Sequence, residues 1–379
     1  MRPRGTSGSA APRRTPTEGA RMHIVHGLTR SYFTRKVTGY LDYTDRPWRP
    51  EPMGPEPAGH PEAVAAGWTG AIPVVDLPDG TPMWDSTSMI EHLDQAVDAP
   101  RGRSVLPDDP TQRFLAYLLD DLSDEWHYRP AVGSRWCYPE NTVTAGWQLA
   151  EELGVHVPAP GAMVREMVVG AMTASLPRIG IKADHMDAWM GEVVTPWFRA
   201  LGAHLDEGGG FLFGARPSIA DFAVFGANAA HFVGDPYCRA LVDEHGPAAV
   251  THTNRLRMPQ REDFGSWTEP GDVAATLVAV VAEAGRHYLP WVAEATVKGS
   301  ATVEIADGVI AEIASSPFLE WARGVLLARY VELRSDALDA VLEEAGVLRY
   351  FADHVDRATA VPDTSAPPQP SDNRPYAIS

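Results

Sequence analysis

The sequence predicts an α/β segment followed by an all-α bundle, and a bundle that runs on into further helices and a hairpin. Three observations carry this. Short apolar runs alternate with amphipathic stretches over residues 23–95. Asp79-Gly80 lies between two of those runs, which is a strong hairpin turn. From about Asp108 onward the apolar residues fall at helical spacing.

Taken in order, His23-Ile24-Val25-His26 alternates as a strand does and Gly27 breaks it. Ser31 to Tyr43 then places Phe33, Val37, Tyr40 and Leu41 on one helical face. A strand is expected at 48–53 between proline-rich turns, and a short helix at 61–66. Ile72-Pro73-Val74-Val75-Asp76-Leu77 is the next strand, Thr81 to Trp84 its hairpin partner, and a helix begins at Asp85-Ser86. The predicted order is therefore β-α-β-α-β-β-α.

Asp109-Pro110 opens a long helix to about Trp126, and further helices are expected at 162–175 and 184–205. Ser218-Ile219-Ala220-Asp221 is a capping box before an apolar run reaching about Phe232; it satisfies two helix donors and needs no ligand. Short helices at 237–244 and 247–256 close the bundle. Past Pro259 come a helix over 272–296 with a kink expected at Pro290, a hairpin over 302–313 turning at Asp307-Gly308, and helices at 317–333 and 335–351. No internal repeat is visible.

Composition narrows the function. The 379 residues carry a formal charge of −18, which excludes a phosphate-binding surface for nucleic acid and an anionic membrane surface. Cys137 and Cys238 are too few for a disulfide framework, so a reducing, cytoplasmic location is expected, with both as small half-buried hydrophobes. No apolar run is long enough to span a bilayer. Residues 1–21, rich in Arg, Pro and Gly, read as a disordered leader with Met22 as an alternative start, and residues 360–379 as a disordered tail.

Asp120, Asp121, Asp124 and Glu125 crowd one helix and read as a solvated face or as partners of Arg129 and Arg135, not as a metal site. His23 and His26 have no carboxylate or thiol at metal-ligand spacing, and no metal is expected. No nucleotide-binding or nucleophile-elbow pattern falls where strand and helix would support it.

Four features in order carry more information than any one alone. They are Ser31-Tyr32-Phe33-Thr34-Arg35-Lys36-Val37 after the first strand, Ile72-Pro73 at the third, Asp85-Ser86 at a helix start, and the capping box over a hundred residues later. Their arrangement over residues 22–258 resembles the glutathione transferase superfamily. The resemblance implies a thioredoxin-like glutathione-binding domain at 22–100 and a helical-bundle domain at 107–258. It leaves 259–359 as an extra helical and hairpin extension. Departures are that extension, the long stretch from Tyr138 to Lys182, and Asp85 where the family often has Glu or Gln.

By that resemblance Ser31 occupies the position of the catalytic Ser or Cys, with Tyr32 and Thr34 as alternative hydroxyl donors. The helix N-terminus there favours a thiolate, though Ser31 could equally serve as a plain N-cap. The resemblance implies that Ile72, before a Pro73 suited to a cis bond, pairs with the glutathione backbone, and that Asp85 and Ser86 hold its γ-glutamyl carboxylate. A second-substrate pocket would draw on Tyr32, Arg35, Tyr117 and Trp126. The expected activity is transfer of glutathione, as co-substrate, to a small-molecule electrophile by a homodimer. The alternatives are a binding or scaffold protein on the same fold and a biosynthetic enzyme using another thiol.

Overall fold

The computed structural model describes residues 22–52, 71–95, 104–259, 264–269 and 271–353. The leader, the tail and the helix expected at 61–66 lie outside the described residues. β1 (His23–Gly27) pairs in parallel with β2 (Trp48–Pro52), and α1 (Tyr32–Tyr43) supplies the crossover that a parallel pair requires. β3 (Val74–Asp76) runs antiparallel to β1, and β4 (Pro82–Trp84) antiparallel to β3, giving the order β2-β1-β3-β4. α2 (Ser86–Gln95) follows at once. This is the thioredoxin-like arrangement.

Strand register decides which residues share the end of the sheet. His26 faces Val74, and Val74 faces Trp84. The next row outward therefore holds Gly27, Pro73 and Asp85. A Cβ on Gly27 would fall 2.5 Å from Thr34 Oγ1 and 3.4 Å from Pro73 Cβ, so only glycine lets the first turn of α1 and the Pro73 loop close on the strand end.

The helical part opens with α3 (Pro110–Leu122), capped by Asp109 accepting the Gln112 N–H at 2.9 Å. α3 passes through a π-helical turn (Ser123–His127) into α4 (Tyr128–Cys137). The long stretch after Tyr138 folds as α5 (Pro139–Leu153) and α6 (Gly161–Ser175). α7 (Met186–Trp189), a second π-helical turn (Met190–Val194) and α8 (Thr195–Glu207) follow in series. α9 (Ile219–Ala227) begins at the expected capping box, where the Ser218 N–H and hydroxyl donate to Asp221 Oδ2 at 2.7 and 2.8 Å. Asp221 Oδ1 also accepts the Leu212 N–H at 3.0 Å and lies 3.0 Å from His252 Nε2, so this cap ties three segments. A third π-helical turn (Asn228–Phe232), α10 (Pro236–His245) and α11 (Ala248–Arg257) complete this part.

The extension consists of α12 (Ala275–Arg286), α13 (Tyr288–Lys298), a hairpin of β5 (Ser300–Ala306) and β6 (Val309–Ala314), α14 (Pro317–Leu333), α15 (Asp336–Glu344) and α16 (Arg349–Ala352). Two expectations need correction. The helix over 272–296 breaks at His287 and does not kink at Pro290, which sits in the first turn of α13 where its missing N–H costs nothing. The helix over 335–351 is two helices, parted at Gly346 with φ +72°.

Apolar burial joins all parts into one core. α1 packs on α9, where Phe222 meets the Tyr40 ring edge-on at 5.8 Å. The extension packs on α3, with Phe114 edge-on to Tyr330 and Phe351 at 5.5 and 5.2 Å. Trp126 is the hub of a second aromatic group, 5.0 Å from Trp189 and 5.5 Å from Trp291. Among the described residues both cysteines are free, and no helix is long and apolar enough to cross a membrane.

Candidate functional site

Ser31 is the N-cap of α1, its hydroxyl accepting the Thr34 N–H at a long 3.5 Å, and the side chain is only 2% exposed. The loop before it is held down from the helical side. The Thr29 N–H and hydroxyl donate to Glu152 at 2.6 and 3.0 Å, Arg30 donates to Gln148, and Arg135 Nη1 donates to the Arg30 carbonyl at 2.9 Å. Arg135 is fixed in turn by Asp235 at 2.8 Å, a buried pair. Thr34 is buried beside Gly27, and its hydroxyl finds no partner among the described residues. Tyr32 is placed differently: its hydroxyl donates to the Ser123 carbonyl at 2.7 Å, and burial together with Asp124 raises its pKa well above the usual phenol range.

The Ile72-Pro73 peptide bond is cis. Neither the N–H nor the C=O of Ile72 pairs with another main-chain group among the described residues. Asp85 adopts φ +71°, a left-handed conformation uncommon for a residue with a side chain. Its Oδ1 accepts the Ser88 N–H at 2.8 Å, which caps α2 and leaves Ser86 in the first helical turn. Burial raises the Asp85 carboxyl, with the hydrogen bonds from Ser88 opposing. Thus Ser31, Thr34, Ile72, Pro73, Asp85 and Ser86 gather at one end of the sheet, along the row set by the register.

The four residues expected to line a second pocket each meet different partners. The Tyr117 hydroxyl donates to Glu91 at 2.7 Å and Arg329 of α14 lies over its ring at 3.8 Å. Trp126 is buried in its aromatic group. Burial first and Arg257 next lower the Arg35 pKa, with Glu152 opposing.

The acids of α3 and the following turn also need correction, since they form neither a solvated face nor partners for Arg135. Lys36 is fully buried, and its ammonium meets Asp120 at 2.7 Å, Asp124 at 2.5 Å and the Thr87 hydroxyl at 2.8 Å. Burial opposes its charge, but the two carboxylates outweigh burial and raise its pKa. Asp121 accepts the Tyr288 hydroxyl from the extension, and burial pushes its carboxyl up to about 6. Among the described residues no group of three acids, histidines or cysteines could hold a metal ion. Sequence reasoning missed the role of Lys36. The signal available was a lysine on the inner face of α1 and two acids four residues apart in an otherwise apolar helix.

Residues 25–101 match the family model described as the N-terminal domain of glutathione S-transferase. No curated protein matches the sequence. Beta-etherase LigF from Sphingobium sp. strain SYK-6 is 18% identical with a TM-score of 0.43, covering 63% of this chain and 96% of its own. A glutathione S-transferase from Pseudomonas fluorescens Pf-5 is 19% identical with a TM-score of 0.34, covering 65% and 99%. One from Methylobacillus flagellatus KT, crystallised with glutathione bound, is 15% identical with a TM-score of 0.37, covering 64% and 96%. Residues 25–101 are thus assigned to the N-terminal domain of the glutathione transferase superfamily.

Proposed function

We propose that the protein is a glutathione-dependent transferase that activates the thiol for attack on a small electrophile. The observation that supports this most is the single row of Gly27, Pro73 and Asp85 at the sheet end, with Ser31 capping the helix above it. Glutathione laid along that row would pair its backbone with the N–H and C=O of Ile72. Its γ-glutamyl carboxylate would meet the first turn of α2 and the Ser86 hydroxyl, where the helix end favours an anion. Its sulfur would lie at the start of α1. There the helix field and the Ser31 hydroxyl would lower the thiol from about 8.5 toward 6–7, populating the nucleophile at neutral pH. A cytoplasmic location and a homodimer belong to the same proposal.

A second reading, a binding protein without turnover, draws on the burial of Ser31 under a loop tethered to α5. Calorimetry of glutathione on the wild type, Ser31→Ala and Ser86→Ala separates the two. The transferase reading expects wild-type binding at millimolar or tighter with proton release. Ser31→Ala should reduce the proton release, and Ser86→Ala the affinity, by several-fold each. Binding with no proton release favours the second reading, and no binding at all removes glutathione from both.

A further inference from the structure

We infer that α6 is the contact helix of a dimer, pairing antiparallel with α6 of a second copy of this chain. The inference does not rest on the transferase reading; it gives the proposed homodimer a surface. α6 is apolar on nearly every side, and in Gly161–Ser175 only Arg165 and Glu166 are charged. Val164, Val168, Met172 and Ser175 are buried against the rest of the chain, whereas Met163, Met167, Gly170 and Ala174 are exposed. A helix that is apolar all round is a helix that is covered all round. Met163 and Met167 are 56% and 49% exposed, and the neighbouring α5 adds Val143 and Trp147 at 52% and 50%. Of the ten large apolar side chains exposed among the described residues, five fall between residues 143 and 167, so exposed apolar area concentrates on this helical pair. Such a concentration marks a protein–protein contact.

The order of the exposed residues identifies the occupant as a second copy. Residues 163, 167, 170 and 174 step by four, three and four, the spacing of a seam between two helices packed side by side. Along that seam the sizes run large, large, small, small. A two-fold axis between residues 168 and 169 brings Met163 onto the second copy's Ala174, and Met167 onto the second copy's Gly170, each contact made twice. A Cβ on Gly170 would have no neighbour within 4 Å among the described residues, so there is room there for a methionine side chain. A two-fold contact needs a surface that complements itself in this way. Parallel pairing would set methionine on methionine and leave a gap at Gly170.

Charge and area agree with this choice. Two copies that each carry −18 repel one another and can meet only where a face is nearly neutral. Glu166 is the one charged residue among the exposed positions of α6, and the two-fold sets it opposite Ala171, not opposite its own copy. Arg165 is held toward α5, its guanidinium 5.5 Å from the Trp147 ring. With the four half-exposed side chains of α5 and α6, each copy offers on the order of 500 Å² of contact, below the roughly 800 Å² per partner of a standard stable interface. The dimer is therefore a reversible one, with dissociation in the micromolar range.

The test is sedimentation of the full chain, wild type and Met167→Glu, from about 1 to 200 µM, with thermal melting read alongside. Wild-type mass should rise from that of one chain toward that of two. Met167→Glu should weaken association about ten-fold or more and melt as wild type does. Cross-linking then reads the pairing. Met163→Cys and Ala174→Cys chains should form an intermolecular disulfide when mixed and oxidised, and little when either is oxidised alone, with wild type as the blank for Cys137. Antiparallel pairing sets the two like positions roughly 16 Å apart along the seam, beyond the reach of a disulfide, and the unlike ones face to face. A wild type that stays monomeric throughout overturns the inference together with the proposed homodimer. A dimer as strong in Met167→Glu as in wild type overturns the inference alone, the homodimer then lying on another face. A disulfide that forms as readily within either single variant overturns the antiparallel pairing, and this reading decides if Met167→Glu melts early. Every measurement is made without glutathione, so failure of the transferase reading leaves all of them standing.

Discussion

The acids around α3 are held from two sides by opposite chemistry. Toward the N-terminal domain, Asp120 and Asp124 meet the Lys36 ammonium, 0% exposed, in a buried ionic arrangement. Toward the extension, Asp121 meets the neutral hydroxyl of Tyr288, and burial pushes its carboxyl up to about 6, while burial, with Asp120 adding to it, pushes Asp124 up to about 8 even beside Lys36. Burial is severe on both sides, so the difference lies in the partner. A cation lets a buried carboxylate stay charged, whereas a phenol does so only weakly. Both contacts should therefore respond to pH, and the N-terminal one also to the loss of its cation.

The largest expected effect breaks the first contact. Lys36→Met leaves two buried carboxylates without a cation and should cost about 3–5 kcal/mol in urea unfolding at pH 7. Adding Asp120→Asn and Asp124→Asn to it should restore a large part. A single variant as stable as wild type would mean that water reaches these acids freely.

The next effect sharpens the second contact through pH. The folded Asp121 carboxyl, at about 6, binds a proton more tightly than the unfolded one at 3.8, so its contribution to stability is full below 3.8 and lost as pH rises through about 6. His127 works the other way. Burial lowers it to about 3, so its contribution is full above 6.5 and lost as pH falls toward 3. From pH 6 to 4 the two changes nearly cancel. Asp121→Asn should therefore lose about 2 kcal/mol of unfolding free energy relative to wild type as pH falls from 6 to 4. Parallel profiles would refute the assignment.

The smallest effect concerns a third attachment. Arg329 joins Glu91 at 2.6 Å while Tyr117 donates to the same carboxylate. Tyr117→Phe removes one donor and leaves the ion pair, so it should cost about 1 kcal/mol in thermal or urea unfolding. A cost near that of Lys36→Met would show that the hydroxyl, not Arg329, keeps Glu91 charged.

How much of the molecule was legible in the sequence depends on the range of each signal. The strand pattern at 23–26, the Asp79-Gly80 turn, the Ser218 capping box and the Ile72-Pro73 strand start are local, and each appears where the sequence puts it. The candidate site inherits that legibility, because sheet register alone sets Gly27, Pro73 and Asp85 in a row. The acids were misread because their partners are distant: Lys36 lies 88 residues from Asp124, and Tyr288 lies 167 from Asp121. Periodicity says which face is apolar, not which charge will arrive on it. The break at His287 was missed because proline looks the same to a pattern inside a helix and in its first turn.

Gly180, between α6 and α7, has φ +78°, and a Cβ there would stand 2.4 Å from Ile313 Cγ1 of the hairpin. The need for open space at this glycine is therefore set by a residue 133 positions later. The segment before α7 and the hairpin are thus fitted to one another. Trp291 donates to the Ile313 carbonyl while Arg129 stacks on Trp291 and reaches Ile179, so neither segment could be trimmed or transplanted without the other. A side chain at position 180 would therefore strain the left-handed turn and displace the hairpin from it at once.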